Sequence, residues 1–166
     1  MQYFEPFRAP LSEAELARRQ PRALVLSGDE SEVALVDGIV RQAGRPARVY
    51  GLAGEVTLGE LGALLEGADL LMANNTGPVH VAAALGTPVV DLYALTNPQH
   101  TPWRVPARVL HRDVPCGNCY KSVCPNGTQA CLVGVAPHEA VEAALALLSA
   151  RRSMRALEHR ITPQES

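Results

Sequence analysis

The sequence has no run of about 18 apolar residues, and Met1 does not begin the charged-then-apolar pattern of a secretory signal. Aromatic residues make up only 4% of the 166 residues, charged residues 19%, and the formal net charge is −2. Neither this charge nor any basic-aromatic run gives a reason to expect nucleic-acid binding. Together with 47% apolar residues, these features predict a soluble, globular, cytoplasmic chain of one domain.

Cysteine is absent outside one short segment, in which Cys116, Cys119, Cys124 and Cys131 follow one another closely. In a cytosolic protein such clustering indicates metal or redox chemistry more than structural disulfides. Four thiolates are enough for a tetrahedral zinc site. The alternatives that the spacing leaves open are an iron–sulfur cluster, two disulfides and free thiols. We expect a structural zinc ion ahead of these alternatives.

Apolar segments of strand type alternate with amphipathic helical segments along the chain. The predicted strands are 23–26, 47–50, 70–73, 89–92 and 105–111. The predicted helices are 12–20, 31–42, 57–66, 78–86 and 138–150. This alternation predicts an α/β fold, a Rossmann-like parallel sheet with helices on both faces. The expected segments are a lead-in (1–21), the Rossmann-like domain (22–150, with a Cys-rich loop at 115–132) and a C-terminal tail (151–166).

Three predicted loops, 27–31, 74–77 and 94–103, meet at the carboxyl edge of such a sheet, where parallel sheets bind ligands. The middle loop reads Asn-Asn-Thr-Gly and leads into the helix that Pro78 opens. A helix start presents unpaired N–H groups and a positive dipole end, which favour a phosphate. His80, in the first helical turn, can approach such an anion. The same residues also fit a capped helix start with no ligand.

The block from Asp69 to Leu92 resembles the C-terminal domain of glycosyltransferase family 9, the ADP-heptose:lipopolysaccharide heptosyltransferases and their relatives. The family pattern is an apolar strand, Asp-Thr-Gly-Pro-x-His, a small-residue helix, Gly-x-Pro and a second apolar strand. The matching residues here are Asn75-Thr76-Gly77-Pro78-Val79-His80 and Gly86-Thr87-Pro88, followed by Thr96-Asn97-Pro98. Asn75 stands where the family commonly has Asp, and Asn97 is a second such departure.

The resemblance implies the C-terminal half of a GT-B glycosyltransferase, which binds the nucleotide sugar. Glu32 is expected to reach the ribose, Val56 the base, and Thr76 and Gly77 the diphosphate. The full set of expected donor-binding residues is Glu32, Val56, Asn75, Thr76, Gly77, His80, Thr96 and Asn97. The acceptor and the catalytic base are expected in an N-terminal domain with no counterpart in this sequence, so the chain is expected to be a fragment, a late start or half of a split enzyme. We therefore expect no catalytic residue here and no transfer by this chain alone.

The expected function is sugar transfer from an ADP-sugar such as ADP-heptose to a lipopolysaccharide core, by chemistry that requires no cofactor. The expected partners are the nucleotide sugar and, through the missing half, the lipopolysaccharide acceptor. An arginine cluster near the C-terminus, beginning at Arg151, either is a solvated helix end or contacts the cytoplasmic face of the inner membrane. The alternative function is a non-catalytic α/β interaction domain stapled by a four-cysteine metal site.

Overall fold

The structure is a computed structural model that describes residues 23–43, 48–121 and 123–161, with side chains described as far as residue 154. The predicted lead-in and its helix at 12–20 lie outside the described residues, as does the start of the predicted strand at 47–50. The chain divides into two compact units, one ending at Leu61 and the other beginning at Gly62.

Strands and helices alternate along the described chain, as the apolar pattern predicts. The strands are β1 (Leu24–Leu26), β2 (Val49–Gly51), β3 (Leu71–Asn74), β4 (Val89–Leu92) and β5 (Ala107–Leu110). The helices are α1 (Val33–Ala43), α2 (Leu58–Gly67), α3 (Gly77–Ala84), α4 (Ala130–Val133) and α5 (Pro137–Ile161). Short 3-10 turns cover Glu30–Glu32 and Pro98–His100.

The first unit is built on a β–α–β arrangement. β1 and β2 pair in parallel, with Leu24 opposite Val49, and α1 makes the connection between them. Val36 of α1 is buried, and a Cβ placed on Gly51 would come within 2.9 Å of its Cγ1 atom. Glycine at this position therefore lets the helix lie close to the strand.

The second unit contains a three-stranded parallel sheet in the order β3-β4-β5. The central strand is buried on both faces, since Val89, Val90 and Asp91 are all 0% exposed. Neighbouring residues of a strand point to opposite faces. Val90 packs with Ala144 and Leu147 of α5, so Asp91 faces the other side of the sheet.

The predicted α/β class with parallel strands is therefore confirmed, but two details differ. The described strands form two separate sheets instead of one. The last helix does not stop at Ala150 but continues to Ile161. At the start of this extension, the Arg151 guanidinium donates to the carbonyls of Ala68 (3.2 Å) and Asp69 (3.0 Å).

Candidate functional site

The turn between β3 and α3 leaves a helix start open to solvent. Thr76 is the N-cap residue, in an extended conformation, but its hydroxyl donates to the Asn74 carbonyl at 3.1 Å instead of capping the helix. Gly77 is the first helical residue, and a Cβ built there would meet nothing within 4 Å. Thr76, Gly77 and His80 are exposed. Pro78 has no N–H, and the Val79 N–H donates to the Thr76 carbonyl at 3.0 Å. The Gly77 N–H and the positive end of the α3 dipole are therefore what this helix start offers to an anion.

Asn75, in contrast, directs its amide into the protein. Its Nδ2 atom donates to Asp91 Oδ2 at 2.7 Å and to the His100 carbonyl at 2.9 Å. These bonds join the turn after β3, the central strand β4 and the 3-10 turn at Pro98–His100. Asn75 thus connects three segments at the carboxyl edge of the sheet.

Asp91 is a component of this edge that we did not predict from the sequence. It is 0% exposed, and burial raises its pKa to about 6, against the opposing effects of the Asn75 hydrogen bond and the positive charge of His80. Its second oxygen, Oδ1, is buried without a hydrogen-bond partner among the described residues. The signal in the sequence is an acidic residue within an otherwise apolar strand, Val-Val-Asp-Leu. Because burying a charge costs free energy, an acidic residue in a buried strand indicates a structural or functional role.

Tyr93 holds the loop that follows β4. Its side chain is buried, and its hydroxyl accepts from the Asn97 N–H at 2.9 Å, bonds the Asn97 carbonyl at 2.9 Å and lies 3.1 Å from Thr96 Oγ1. Asn97 in turn caps the following 3-10 turn, since its Oδ1 accepts from the Gln99 N–H at 3.1 Å. Its Nδ2 lies 3.2 Å from the Nε2 atom of His100. His100 therefore connects Asn97 to Asn75, so these two predicted site residues belong to one hydrogen-bonded network.

Glu32 and Val56 belong to the first unit, whereas the other predicted donor-binding residues belong to the second. The Glu32 carboxylate accepts from the Asp29 N–H at 3.0 Å and completes a capping box at the start of α1. A Cβ on Gly28 would lie 2.6 Å from that carboxylate, so glycine is required for this approach. Val56 is half-buried. The donor-binding roles of these two residues stay predictions.

The four cysteines are free thiols, with Cys116 exposed and the others half-buried. Within the described chain no three His, Cys, Asp or Glu side chains are grouped so that they could hold a metal ion. The four-thiolate zinc site therefore stays a prediction. Hydrogen bonds from the backbone of Gln129 and its neighbours lower the pKa of the Cys124 thiol, whereas burial raises the pKa of Cys131.

A cleft of about 250 Å³ separates the loop after β4 from the segment after β5. It is lined by Ala94, Leu95, residues 111–115, Gly117 and Asn118, and by none of the predicted donor residues. Arg112 in its wall forms an ion pair with Glu139, and this hydrogen bond holds the pKa of the Glu139 carboxyl below its usual range. The positive charge of Arg112 is thus balanced by Glu139.

None of the helices in the described ranges combines the length and hydropathy that a membrane span requires.

Comparison with known proteins shows one family. The model of "Glycosyltransferase family 9 (heptosyltransferase)" matches residues 13–130. The lipopolysaccharide heptosyltransferase 3 of Escherichia coli is 38% identical over 88 residues, which are 53% of this chain and 25% of that protein. The family match does not favour the alternative of a non-catalytic interaction domain.

Two solved structures share the fold. The family 9 glycosyl transferase of Veillonella parvula DSM 2008 superposes with a TM-score of 0.65 at 28% identity, covering 76% of this chain and 36% of that one. The E. coli ADP-heptose lps heptosyltransferase II gives 0.63 at 26% identity, covering 78% and 37%. The chain therefore spans only about a quarter to somewhat over a third of the length of these relatives.

Proposed function

Because the chain belongs to glycosyltransferase family 9, we propose that it supplies the nucleotide-sugar-binding part of a heptosyltransferase. The donor would be an ADP-sugar such as ADP-heptose, and the acceptor a lipopolysaccharide core. The observation that carries this proposal is the uncapped, exposed start of α3 at Thr76 and Gly77, at the carboxyl edge of a parallel sheet.

The proposed role of this helix start is to hold the diphosphate of the donor. When the acceptor hydroxyl attacks the anomeric carbon, the bond from that carbon to the diphosphate oxygen breaks and negative charge develops on the leaving group. The Gly77 N–H and the positive end of α3 stabilise this charge, and they act more strongly as it grows. His80, exposed on the first turn, adds a hydrogen-bond donor beside them.

The remaining donor contacts are proposed from the family resemblance. Glu32 would reach the ribose and Val56 the base, while Thr96 and Asn97 would border the sugar. Tyr93 supports the last two, since its hydroxyl fixes the backbone of Asn97 and lies beside Thr96. This chemistry requires no metal ion.

Transfer itself is proposed for a complete enzyme and not for this chain alone. The chain covers 36% and 37% of the two solved relatives, and the acceptor-binding part and catalytic base would come from the remainder. The cytoplasmic location, at the cytoplasmic face of the inner membrane, is part of the same proposal.

Isothermal titration calorimetry of the purified chain with ADP-heptose, ADP and UDP tests the donor site. We expect ADP-heptose and ADP to bind and UDP to bind more weakly. Thr76→Ala removes the hydroxyl that donates to the Asn74 carbonyl within the turn, and it should weaken ADP binding by roughly tenfold, the equivalent of about 1.4 kcal/mol. Thr128→Ala, which removes another exposed threonine hydroxyl, is the matched control and should bind as the unsubstituted chain does. Folded protein without affinity for any of the three ligands would overturn the proposal.

A further inference from the structure

Asn75 has no amide hydrogen left for a ligand. One hydrogen of Nδ2 is given to Asp91 Oδ2 and the other to the His100 carbonyl, at 2.7 and 2.9 Å. A direct contact of this amide nitrogen with a bound sugar or phosphate would require both bonds to break. Its position next to Thr76 suggests a different role, in which Asn75 acts through the turn that it holds.

Asp91 makes this arrangement selective for an amide at position 75. The carboxylate is 0% exposed, and the Asn75 bond is the one hydrogen bond described for its side chain. A buried carboxylate whose donor is removed loses its main compensation for burial. A second carboxylate at position 75 would be worse, because two acceptors would meet at hydrogen-bond distance and repel each other.

We propose that Asn75 and Asp91 are a positioning pair: the buried carboxylate fixes the Asn75 amide, and the amide fixes the Thr76–Gly77 turn for diphosphate binding without donating a hydrogen bond to the diphosphate. The pair also orders the loop after β4, through the His100 carbonyl. This inference rests on the proposed donor site, but it assigns to Asn75 and Asp91 a role that differs from direct binding.

A charge-swap cycle tests the pair. The proteins are the unsubstituted chain, Asn75→Asp, Asp91→Asn and the double variant, and the ligand is ADP in a calorimetric titration at neutral pH. We expect Asn75→Asp to weaken ADP binding by at least roughly tenfold, because the two carboxylates force the turn apart. The double variant again has one amide facing one carboxylate, but it has no donor for the His100 carbonyl. We therefore expect it to recover part of the loss and to bind ADP at least roughly threefold more tightly than Asn75→Asp does.

A second readout is independent of any ligand. Hydrogen exchange at the Val79 amide, which donates to the Thr76 carbonyl at 3.0 Å and belongs to a buried residue, reports the order of the turn. We expect this exchange to quicken in Asn75→Asp and to slow again in the double variant. Asn75→Ala serves if Asn75→Asp does not fold, since it removes both bonds without adding charge. It should also quicken exchange at the Val79 amide and weaken ADP binding.

The outcomes separate the two proposals. If the unsubstituted chain does not bind ADP, the donor site fails, while the exchange cycle still tests the pair. If the double variant restores slow exchange at the Val79 amide but recovers no ADP binding, Asn75 contacts the donor directly and the positioning role is overturned. Unchanged ADP binding and unchanged exchange in Asn75→Ala would overturn it as well.

Discussion

Replacing Asp91 by Asn should remove a pH-dependent penalty on folding. Burial raises the pKa of Asp91 to about 6 in the folded protein, from 3.8 for an unperturbed aspartate. Each unit of difference corresponds to about 1.36 kcal/mol, so ionised Asp91 costs the folded state about 3 kcal/mol. The figure is an order of magnitude for a carboxylate that is 0% exposed and therefore little screened by solvent.

The direction of this pH dependence follows from the pKa of Asp91, which is higher in the folded than in the unfolded chain. Below about pH 4 both the folded and the unfolded chain carry the proton, and the penalty is absent. Between about pH 4 and pH 6 the folded chain keeps the proton while the unfolded chain loses it, so stability falls as the pH rises. Above pH 6 both states are ionised, and the full penalty remains.

Urea unfolding of the unsubstituted chain and of Asp91→Asn, at intervals from pH 4 to pH 7, measures this penalty. The difference between the two free energies of unfolding cancels the titration of every other carboxyl group. Over this range we expect the unsubstituted chain to lose about 2.5 kcal/mol of stability relative to Asp91→Asn as the pH rises, because the unfolded chain is already partly ionised at pH 4. Asp37→Asn, which removes an exposed carboxylate, is the matched control. A difference that is constant to about 0.5 kcal/mol across the range would refute the assignment of the penalty to Asp91.

Two further predictions concern the core and the cysteines. Leu147→Ala should lower the free energy of unfolding by about 2 to 5 kcal/mol, because Leu147 is 5% exposed and packs against Val90, whereas Met154→Ala on the same helix, at 59% exposure, should cost about 0.5 kcal/mol or less. In alkylation with iodoacetamide followed by mass spectrometry, Cys124 should react at lower pH than Cys131, because backbone hydrogen bonds favour its thiolate and burial disfavours that of Cys131. Equal pH profiles for the two thiols would contradict this order.

Local features of the sequence predicted local features of the structure. The spacing of Thr57 and Glu60 predicts a capping box, and in the structure the Glu60 carboxylate accepts from the Thr57 N–H at 2.8 Å. The turn after β3 was predicted in the same way, from residues within one short segment. Such interactions form between residues three or four positions apart, so they can be recognised from spacing in the sequence.

The zinc site in the cysteine segment stays a prediction, because spacing in the sequence does not fix how the side chains converge. Four thiols lie within sixteen residues of sequence, which is enough to predict a tetrahedral site. The described structure nevertheless groups no three metal-ligating side chains there. Hydrogen bonds from the backbone to the Cys124 thiol direct that side chain toward its own turn. The sequence identifies the possible ligands. Whether the four thiols converge depends on the backbone turns between them, such as the left-handed conformations at Asn118 and Gln129.

By itself, the sequence determined the parallel α/β class, the family and the position of the helix start at Thr76 and Gly77, because alternating apolar periods and short motifs encode them. Only the tertiary structure decided that Asn75 faces inward. Its partners Asp91 and His100 lie 16 and 25 positions away along the chain, and they meet it through the parallel alignment of β3 with β4 and the course of the loop that follows β4. The elevated pKa of Asp91 has the same origin, since burial by surrounding elements, and not the identity of the residue, sets the cost of its charge.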